Sequence, residues 1–398
     1  MADGLPLSGL TVIDCGQVYN GPYAGFLLAM AGAKVIKVEP PCGENLRRRS
    51  VVGGAALPFA MLNSNKKFIT LNLKSDAGRE IFLDLIKKSD VLIENFAPGV
   101  MDRLNIGFDV LRDYNSRLIY ATGSGYGANS EYSDMPAMDL TVQAMSGALG
   151  ITGYADRAPV KCGPAICDFA GGTHLYGAIM TALYERERTG RGRKVEVAML
   201  EAVYPTLSST LGLWFRSKGQ TIERTGNHHG GMAESPYNVY PALDGYVAVL
   251  CVTDAHWESL LVAMDRTDLV GDSRFSTLAA RVERLEEVDQ VVENFTQSRT
   301  RSEISAILRR LRVPFAPVRN LSEVTSDQSL FDRRFLQKIN HPLYGETVLP
   351  TSPIRFDNAD PMTLEPSGEL GRDNDEILSE FAGLDAQSIE RLRASGAI

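Results

Sequence analysis

The chain has 398 residues and a formal net charge of −8 at pH 7, with 44% hydrophobic and 23% charged residues. This composition is typical of a soluble globular protein and excludes a mainly disordered chain. The acidic balance argues against general nucleic-acid binding, which requires a basic face. The five cysteines lack CxxC spacing, and neither a membrane-length apolar run nor a signal-peptide pattern is present. We therefore expect a cytoplasmic protein without a disulfide framework, zinc ribbon or membrane span.

Strand and helix patterns alternate along the first 125 residues. Short β-branched runs predict strands, and apolar residues at helical spacing predict the helices between them. This alternation is typical of a parallel sheet covered by helices, so the sequence predicts an α/β domain. The predicted strands lie at 11–14, 34–38, 68–73, 91–93 and 118–122, and the predicted helices lie at 24–30 and 77–87.

The remainder of the chain is mostly helical at first and then changes character. A helix is predicted at 140–149, and another opens at Asp168. The dipeptide Asp244-Gly245 separates two β-rich runs and predicts a hairpin. Helical periodicity from 256 to 312 then indicates a smaller α+β domain. The tail combines Pro-rich extended pieces with one helix that starts at Asp373.

Two turns share features with a dinucleotide-binding motif. Gly123 to Ala128 fits G-x-G-x-x-A after a predicted strand, but a loop follows where that motif needs a helix. Residues 16–21 form the turn between the predicted strand at 11–14 and the predicted helix at 24–30. Glu39 ends the next strand, where a ribose-binding acid would lie, yet the turn lacks the glycine triplet. A nicotinamide-dependent oxidoreductase is therefore disfavoured and is kept as an alternative.

Two clusters of ligand-binding residue types stand outside these turns. His228 and His229 precede Gly230 and Gly231, but no H-x-x-x-H spacing or nearby carboxylate supports a metal site. A mobile loop close to a ligand is the preferred interpretation, because glycines let the backbone approach closely. The arginine run at 47–49 is either a solvated loop or a clamp for phosphates or a substrate carboxylate.

Asp168 has two interpretations from the residues alone. An aspartate directly before a helical run is an ordinary N-cap. The helix dipole would also favour its ionised form, and the glycines on either side leave room for a bulky ligand. Because an ionised carboxylate in a partly dry site can attack an acyl carbon, a covalent nucleophile is the second interpretation.

Four segments in one order resemble the class III CoA-transferases, the family that includes formyl-CoA transferase and carnitine CoA-transferase. They lie within residues 5–205 and read LPLSGLTVIDCGQVYNGPYAGFLLAMAGAKVIKVEPP, NSNKKFITLNLKSDAGRE, DVLIENFAPGVMDRL and GPAICDFAGGTHLYGAIMTALYERERTGRGRKVEVAMLEA. The resemblance implies a large Rossmann-like domain, a smaller α+β domain, and two ring-like chains interlocked as a homodimer. It implies a large domain of residues 1–205 completed by 330–398, a small domain of 225–329, and a linker of 206–224.

The resemblance also implies roles for individual residues. Asp168 falls on the catalytic aspartate of the family, which carries the acyl group as a mixed anhydride and then CoA as a thioester. CoA is the co-substrate, and neither a metal nor a permanently bound cofactor is implied. The substrate loop contains His229, Gly230 and Gly231. The implied CoA contacts are Val18, Tyr19, Leu71, Lys74, Asn95, Phe96, Ala97, Arg103, Met138 and Asp139.

The α-methylacyl-CoA racemases are similar along most of the chain, but they carry a Gly-His-Asp motif whose His and Asp act as two bases. Here Met138 takes the place of that histidine, and a thioether cannot move a proton. The sequence therefore favours an acyl-CoA:carboxylate CoA-transferase, with an acyl-CoA racemase as the alternative. Tyr19 replaces a polar amide of formyl-CoA transferase, which weakens the expectation of formyl or oxalyl substrates. The cationic run at 47–49, with His228 and His229, favours a dicarboxylic acid.

Overall fold

The computed structural model describes residues 4–220 and 224–398, which form two compact units. The large unit comprises residues 4–142, 164–203 and 327–398, and the small unit comprises 143–163 and the described part of 204–326. The domain bounds implied by the resemblance differ from this division, because they place 143–163 in the large domain and 206–224 in a linker. Local packing explains this difference. Tyr154 pairs with Thr225 in an isolated β-bridge, and Arg224 Nε donates to the Tyr154 carbonyl at 3.2 Å.

A parallel sheet lies at the centre of the large unit. Its strands are β1 (Thr11–Asp14), β2 (Lys34–Glu39), β3 (Lys67–Thr70), β4 (Val91–Glu94), β5 (Ile119–Ser124) and β6 (Lys194–Ala198). The spatial order is β3-β2-β1-β4-β5-β6, and each neighbouring pair is parallel. This order is that of the doubly wound Rossmann fold. The predicted α/β class with a parallel sheet is therefore confirmed.

Helices connect the strands and continue through the small unit into the tail. They are α1 (Asn20–Met30), α2 (Asn45–Arg48), α3 (Ala56–Leu62), α4 (Asp76–Lys87), α5 (Val100–Arg103), α6 (Phe108–Tyr114), α7 (Asp139–Met145), α8 (Ile166–Thr189), α9 (Met199–Val203), α10 (Ser208–Arg216), α11 (Asp254–Ala263), α12 (Leu278–Val282), α13 (Leu285–Thr296), α14 (Arg301–Arg310), α15 (Leu321–Thr325), α16 (Gln328–Asp332), α17 (Asn374–Ala382) and α18 (Ala386–Ala394). The helix predicted at 140–149 is shorter, because Gly147 follows it in the left-handed region with φ 88°.

Alternating strand residues build one apolar layer on each face of the sheet. On one face, Ile13 and Ile36 pack with side chains of α4 and α17. On the other face, Val12 and Val35 pack with side chains of α1 and α8. Both faces of strands β1 to β5 are therefore largely buried, as expected for a parallel sheet between helices, whereas Lys194 and Glu196 of the edge strand β6 are exposed. This packing fixes α1 and α8 on the same face of the sheet.

The tail of the chain completes the large unit at the edge of the sheet. Asp373 Oδ2 accepts from the Phe68 N–H at 2.8 Å, and Asn374 Oδ1 accepts from the Thr70 N–H at 2.9 Å. These side chains satisfy backbone donors on the edge strand β3, which would otherwise be open to pairing. The tail also contains a hairpin of β10 (Leu336–His341) and β11 (Gly345–Pro350), and the additional helix α18, none of which was predicted.

The small unit contains an antiparallel sheet in the order β7-β8-β9, formed by Tyr237–Ala242, Gly245–Leu250 and Phe315–Pro317. Ala242 pairs with Gly245, so the predicted Asp-Gly hairpin is confirmed. Trp257, Val288 and Ile304 belong to the apolar core that joins this sheet to its helices. In the described parts of the chain, no helix has both the length and the apolar character needed to cross a bilayer.

Candidate active site

A cleft opens in the large unit where β1, β4 and β5 end. Its volume is about 550 Å³, and loop residues that follow each of these strands line it. The strand order reverses between β1 and β4, and ligands of open α/β sheets bind at the carboxyl ends of strands beside such a reversal. This position makes the cleft the candidate active site. Of the residues singled out in the sequence, it is lined by Val18, Asn95, Phe96, Ala97, Arg103, Met138 and Asp168.

Asp168 lies in the first turn of α8, and its side chain reaches the wall of the cleft. The N-cap of this helix is Ala165, so the interpretation of Asp168 as an N-cap is wrong. Only 7% of Asp168 is exposed. Burial, together with the negative charge of Asp139, raises the pKa of Asp168 to about 7. The helix dipole favours the ionised form, but burial outweighs it. At neutral pH both protonation states of this carboxyl group are therefore populated.

Asp139 supplies the cap that α8 lacks. Its Oδ1 accepts from the backbone N–H of Cys167 at 2.8 Å and of Asp168 at 3.3 Å. The first N–H groups of a helix need such an acceptor, and a negative charge is favourable there. Asp139 thus fixes the start of α8 and also places a second negative charge near Asp168. This role was not predicted from the sequence, because the two segments are 28 residues apart and only the fold brings them together.

The loop between β1 and α1 is held by side chains from other elements. Asn95 Oδ1 accepts from the Gln17 N–H at 2.7 Å, and Asn95 Nδ2 donates to the Gln17 carbonyl at 2.9 Å. Glu44 Oε2 accepts from the Val18 N–H at 3.3 Å. Val18 has φ 61°, a left-handed conformation that is costly for a β-branched residue. The side chain of Asn95 therefore holds this strained loop in place. A contact of Asn95 with CoA, as the resemblance implies, would have to come from its backbone.

A buried ion pair at the end of β1 supports the same loop. Lys66 Nζ lies 2.7 Å from Asp14 Oδ2, and both side chains are fully buried. Asp14 Oδ1 also accepts from the Gly16 N–H at 2.8 Å, while Lys37 donates to the Gly16 carbonyl. Burial alone would raise the pKa of Asp14, but the charges of Lys37 and Lys66 hold it below its ordinary value. Gly16 is thus fixed at both its N–H and its carbonyl group.

Tyr19 follows this loop and lies beside the helix that carries Asp168. Its ring centroid is 6.0 Å from that of Phe169, in a stacked arrangement. Burial and the negative charge of Asp168 raise the pKa of Tyr19. The phenol is therefore neutral in the physiological range. Tyr19 thus lies near enough to Asp168 for the Asp168 charge to act on its phenol, and its place at the thioester end stays a prediction.

A second cleft, of about 470 Å³, adjoins the first. It is lined by Leu71 and Lys74, and Gln17 and Phe96 line both clefts. We refer to these two adjoining clefts together as the trough; Asp168 lines the first cleft and Lys74 lines the second. The structure thus brings most of the implied CoA contacts together. Such a trough suits a long ligand with one end at a buried carboxyl group and the other near a cation.

The arginine run does not act as one clamp. Arg47 Nη2 lies 2.8 Å from Glu39 Oε1, and the Glu39 side chain is fully buried. This pair excludes Arg47 as an anion clamp and Glu39 as a ribose-binding acid, because each already satisfies the other. Arg48 donates to the Asn45 side chain. Arg49 is exposed and donates to the Asn45 backbone carbonyl at 3.3 Å.

The histidine–glycine segment belongs to the small unit. His228 Nε2 lies 2.6 Å from Asp289 Oδ2, and this hydrogen bond raises the pKa of His228. His229 Nδ1 accepts from the Gly231 N–H at 3.2 Å. Within residues 4–220 and 224–398, no three His, Cys, Asp or Glu side chains are arranged to hold a metal ion. The placement of His229, Gly230 and Gly231 in a substrate loop stays a prediction.

Comparison with known proteins decides the family. The profile of CoA-transferase family III matches residues 7–374. The chain belongs to CoA-transferase family III. The resemblance found in the sequence motifs is confirmed, and this family III transferase is an enzyme that transfers CoA. The oxidoreductase alternative therefore falls away.

The relatives of this family III transferase are named for different acids. This chain is 34% identical to a formyl-CoA:oxalate CoA-transferase from Streptomyces avermitilis, over 98% of this chain and 99% of the relative. It is 33% identical to a succinyl-CoA:mesaconate CoA-transferase from Haloarcula marismortui, over 95% and 97%. The crystal structure of a CAIB/BAIF family protein from Brucella suis matches with a TM-score of 0.82 at 31% identity, over 95% and 99% of the two chains.

The charge of Asp139 should set part of the pKa of Asp168. Asp139→Asn keeps an oxygen that can accept from the Cys167 and Asp168 N–H groups, but it removes the negative charge. We expect the pKa of Asp168 to fall below its wild-type value of about 7. The measurement is a carbon-13 NMR titration of labelled aspartate carboxyl groups, with Asp168→Asn used for assignment. Asp139→Ala should in addition lose about 1 kcal/mol of stability, because the cap is lost. An unchanged or higher pKa in Asp139→Asn would contradict this account.

Proposed function

We propose that the enzyme moves CoA from an acyl-CoA donor to a free carboxylic acid through covalent intermediates on Asp168. The observation that carries the proposal is the buried Asp168 carboxyl group at one end of the trough. A pKa near 7 leaves a large ionised fraction at neutral pH, and the ionised oxygen has lost most of its hydration. A poorly hydrated carboxylate is a stronger nucleophile than one in water.

The proposed reaction conserves the thioester energy and needs no ATP. An Asp168 oxygen attacks the thioester carbonyl carbon, the C–S bond breaks, and CoA leaves as the thiolate. The product is a mixed anhydride. The thiolate then attacks the Asp168 carbonyl carbon, which releases the donor acid as its carboxylate and leaves CoA bound to Asp168 as a thioester. The acceptor carboxylate repeats these steps in reverse order, so that the acceptor leaves as its CoA thioester and Asp168 is regenerated.

The racemase alternative requires a proton acceptor on each face of the α-carbon. Met138 lines the cleft, and its thioether cannot accept a proton. The Asp139 carboxylate is engaged by two backbone N–H groups at the start of α8. Asp168 alone therefore supplies one base, and these observations favour transfer over racemisation.

Asp168→Ala should abolish CoA transfer and leave the fold intact, because the residue is not the N-cap of its helix. In the wild type, incubation with acyl-CoA should add mass to the peptide that contains Asp168, and hydroxylamine should trap the adduct. The measurement combines mass spectrometry with a coupled assay that contains a free acid. The control is Asp84→Ala, which removes an exposed carboxylate of α4 and should retain both adduct and turnover. Near-wild-type turnover of Asp168→Ala would overturn the mechanism.

CoA should bind along the trough with its phosphates near Arg103 and Lys74. Removing either side chain should weaken CoA binding by about 1.5–3 kcal/mol, the usual value for a hydrogen bond to a charged group. The loss should shrink as salt rises, because exposed charges are screened. Isothermal titration calorimetry at low and high salt measures the loss of CoA-binding free energy. The matched control is Arg112→Ala, since Arg112 is exposed and pairs with Asp109 at 3.3 Å. Equal CoA affinity of Arg103→Ala and wild type at low salt would refute this placement.

We further propose that the acceptor is a dicarboxylic acid. The names of the relatives from Streptomyces avermitilis and Haloarcula marismortui include the dicarboxylates oxalate and mesaconate, which supports this class. Arg48 and Arg49 are both exposed, and each donates to the neutral Asn45. Arg49 is the better candidate, because its positive charge acts on Tyr19, on which Asp168 also acts. A second carboxylate of the substrate could pair with Arg49 while the first reacts at Asp168.

This proposal predicts a change in acceptor preference. In Arg49→Ala, the ratio of kcat/KM for dicarboxylates to kcat/KM for monocarboxylates should fall about tenfold or more, because a charged hydrogen bond is lost. The neighbouring Arg48→Ala is the control and should leave the ratio unchanged. A panel of acids read by mass spectrometry gives both values. The proposal of a dicarboxylic acceptor would be wrong if the wild type prefers monocarboxylates or if the ratio is unchanged in Arg49→Ala. Neither result would contradict CoA transfer through Asp168.

The interlocked homodimer and the cytoplasmic location are kept as predictions.

A further inference from the structure

Asn20 is a buried amide for which the described residues provide no hydrogen-bond partner. It is the first residue of α1, it lines the same cleft as Asp168, and it is 2% exposed. Neither Oδ1 nor Nδ2 forms a hydrogen bond within the part of the chain that the structure describes. Buried polar side chains nearly always have a partner, because an unpaired one costs free energy. Asn20 is not among the site residues predicted from the sequence.

Two glycines make the space that this amide occupies. A Cβ atom at Gly123 would lie 2.3 Å from Asn20 Oδ1, and a Cβ atom at Gly171 would lie 2.2 Å from Asn20 Nδ2. Any other residue at either position would displace the amide. A Cβ atom at Gly172 would also lie 2.7 Å from the Asn20 carbonyl oxygen, so α1 and α8 approach closely here. The glycines thus leave room for the Asn20 amide, although neither of its polar atoms has a hydrogen-bond partner among the described residues.

The donor side of the amide faces the helix that carries Asp168. Gly171, next to Nδ2, follows Asp168 by three residues in α8. Residues three apart in a helix lie on the same face, one turn from each other. Nδ2 therefore lies toward the face of α8 from which Asp168 projects, while Oδ1 lies toward the end of β5.

We propose that Asn20 is a catalytic residue whose Nδ2 donates a hydrogen bond to the carbonyl oxygen of the group being transferred at Asp168. The proposal rests on the covalent role proposed for Asp168. When an oxygen or sulfur nucleophile attacks that carbonyl carbon, its oxygen gains negative charge. A fixed donor in a dry site stabilises this charge and contributes typically about 10²–10³-fold to kcat. The ligand carbonyl would supply the partner that Asn20 lacks.

The test is Asn20→Leu, which keeps the size of the side chain and removes both polar atoms. We expect kcat to fall about 10²–10³-fold, while KM for acyl-CoA changes less than about threefold. The melting temperature should stay equal or rise, because an unpaired buried amide is gone. A structural role for Asn20 predicts the opposite, a lower melting temperature with unchanged kcat per folded enzyme.

Asn374 offers the matched control. It is also a buried asparagine, but its Oδ1 accepts from the Thr70 N–H and its Nδ2 donates to Thr70 Oγ1, both at 2.9 Å. Asn374→Leu should lower the melting temperature and leave kcat of the folded enzyme unchanged. Asn20→Ala serves as the second variant if Asn20→Leu does not fold, and the same fall in kcat is expected.

Single-turnover mass spectrometry separates this proposal from the one on which it rests. In wild type, an Asp168 adduct should form rapidly. In Asn20→Leu the same adduct should form about 10²–10³-fold more slowly. If wild type forms no adduct, the covalent role of Asp168 fails. A different result is that the wild type forms the adduct and both Asn20 variants form it within threefold of the wild-type rate. That result would overturn the catalytic role of Asn20 and leave the covalent role of Asp168 in place.

Discussion

The removal of one carboxyl group from water is the constraint on which the rest of the site depends. Asp168 is 7% exposed, and its pKa of about 7 lies well above the ordinary aspartate value of 3.8. The folded state therefore holds a proton that the unfolded chain releases between about pH 4 and pH 7. Since stability falls with rising pH wherever the folded state binds more protons, the ionised Asp168 destabilises the fold at neutral pH. This cost is consistent with a residue retained for chemistry.

The surroundings of Asp168 show how the fold tolerates this cost. The charge of Asp139 lies near it and opposes its ionisation, yet the same carboxylate caps α8 and so stabilises the helix that carries Asp168. One side chain thus raises the pKa of the nucleophile and fixes its backbone. A glutamine or asparagine in place of Asp139 would retain the acceptor and lose the effect on the pKa.

The loop after β1 shows a second use of buried polar groups. The Lys66–Asp14 pair, with Lys37, fixes Gly16, and Asn95 fixes Gln17. These contacts hold Val18 in a conformation that a free chain would avoid. Buried ion pairs contribute little net stability, but losing one partner is costly, so they enforce one arrangement. The loop is therefore rigid where it meets the trough, and the ends of β1 and β4 are held in fixed relation.

The sequence by itself determined the α/β class, the strands β1 to β5 with the helices α1 and α4 between them, the Asp-Gly hairpin and the family. These features depend on local periodicity, turn chemistry and contiguous motifs, which are readable along the chain. It did not predict the β10–β11 hairpin or α18, since short elements at the edge of a unit depend on long-range contacts more than on propensity. It also could not show that Arg47 is engaged by Glu39, that Asp139 caps α8, or that Asn20 has no hydrogen-bond partner among the described residues. Each of these facts depends on which side chains meet after residues far apart in sequence pack together. Burial and pairing, which set the pKa of Asp168 and decide which charges remain available, exist only in the tertiary structure.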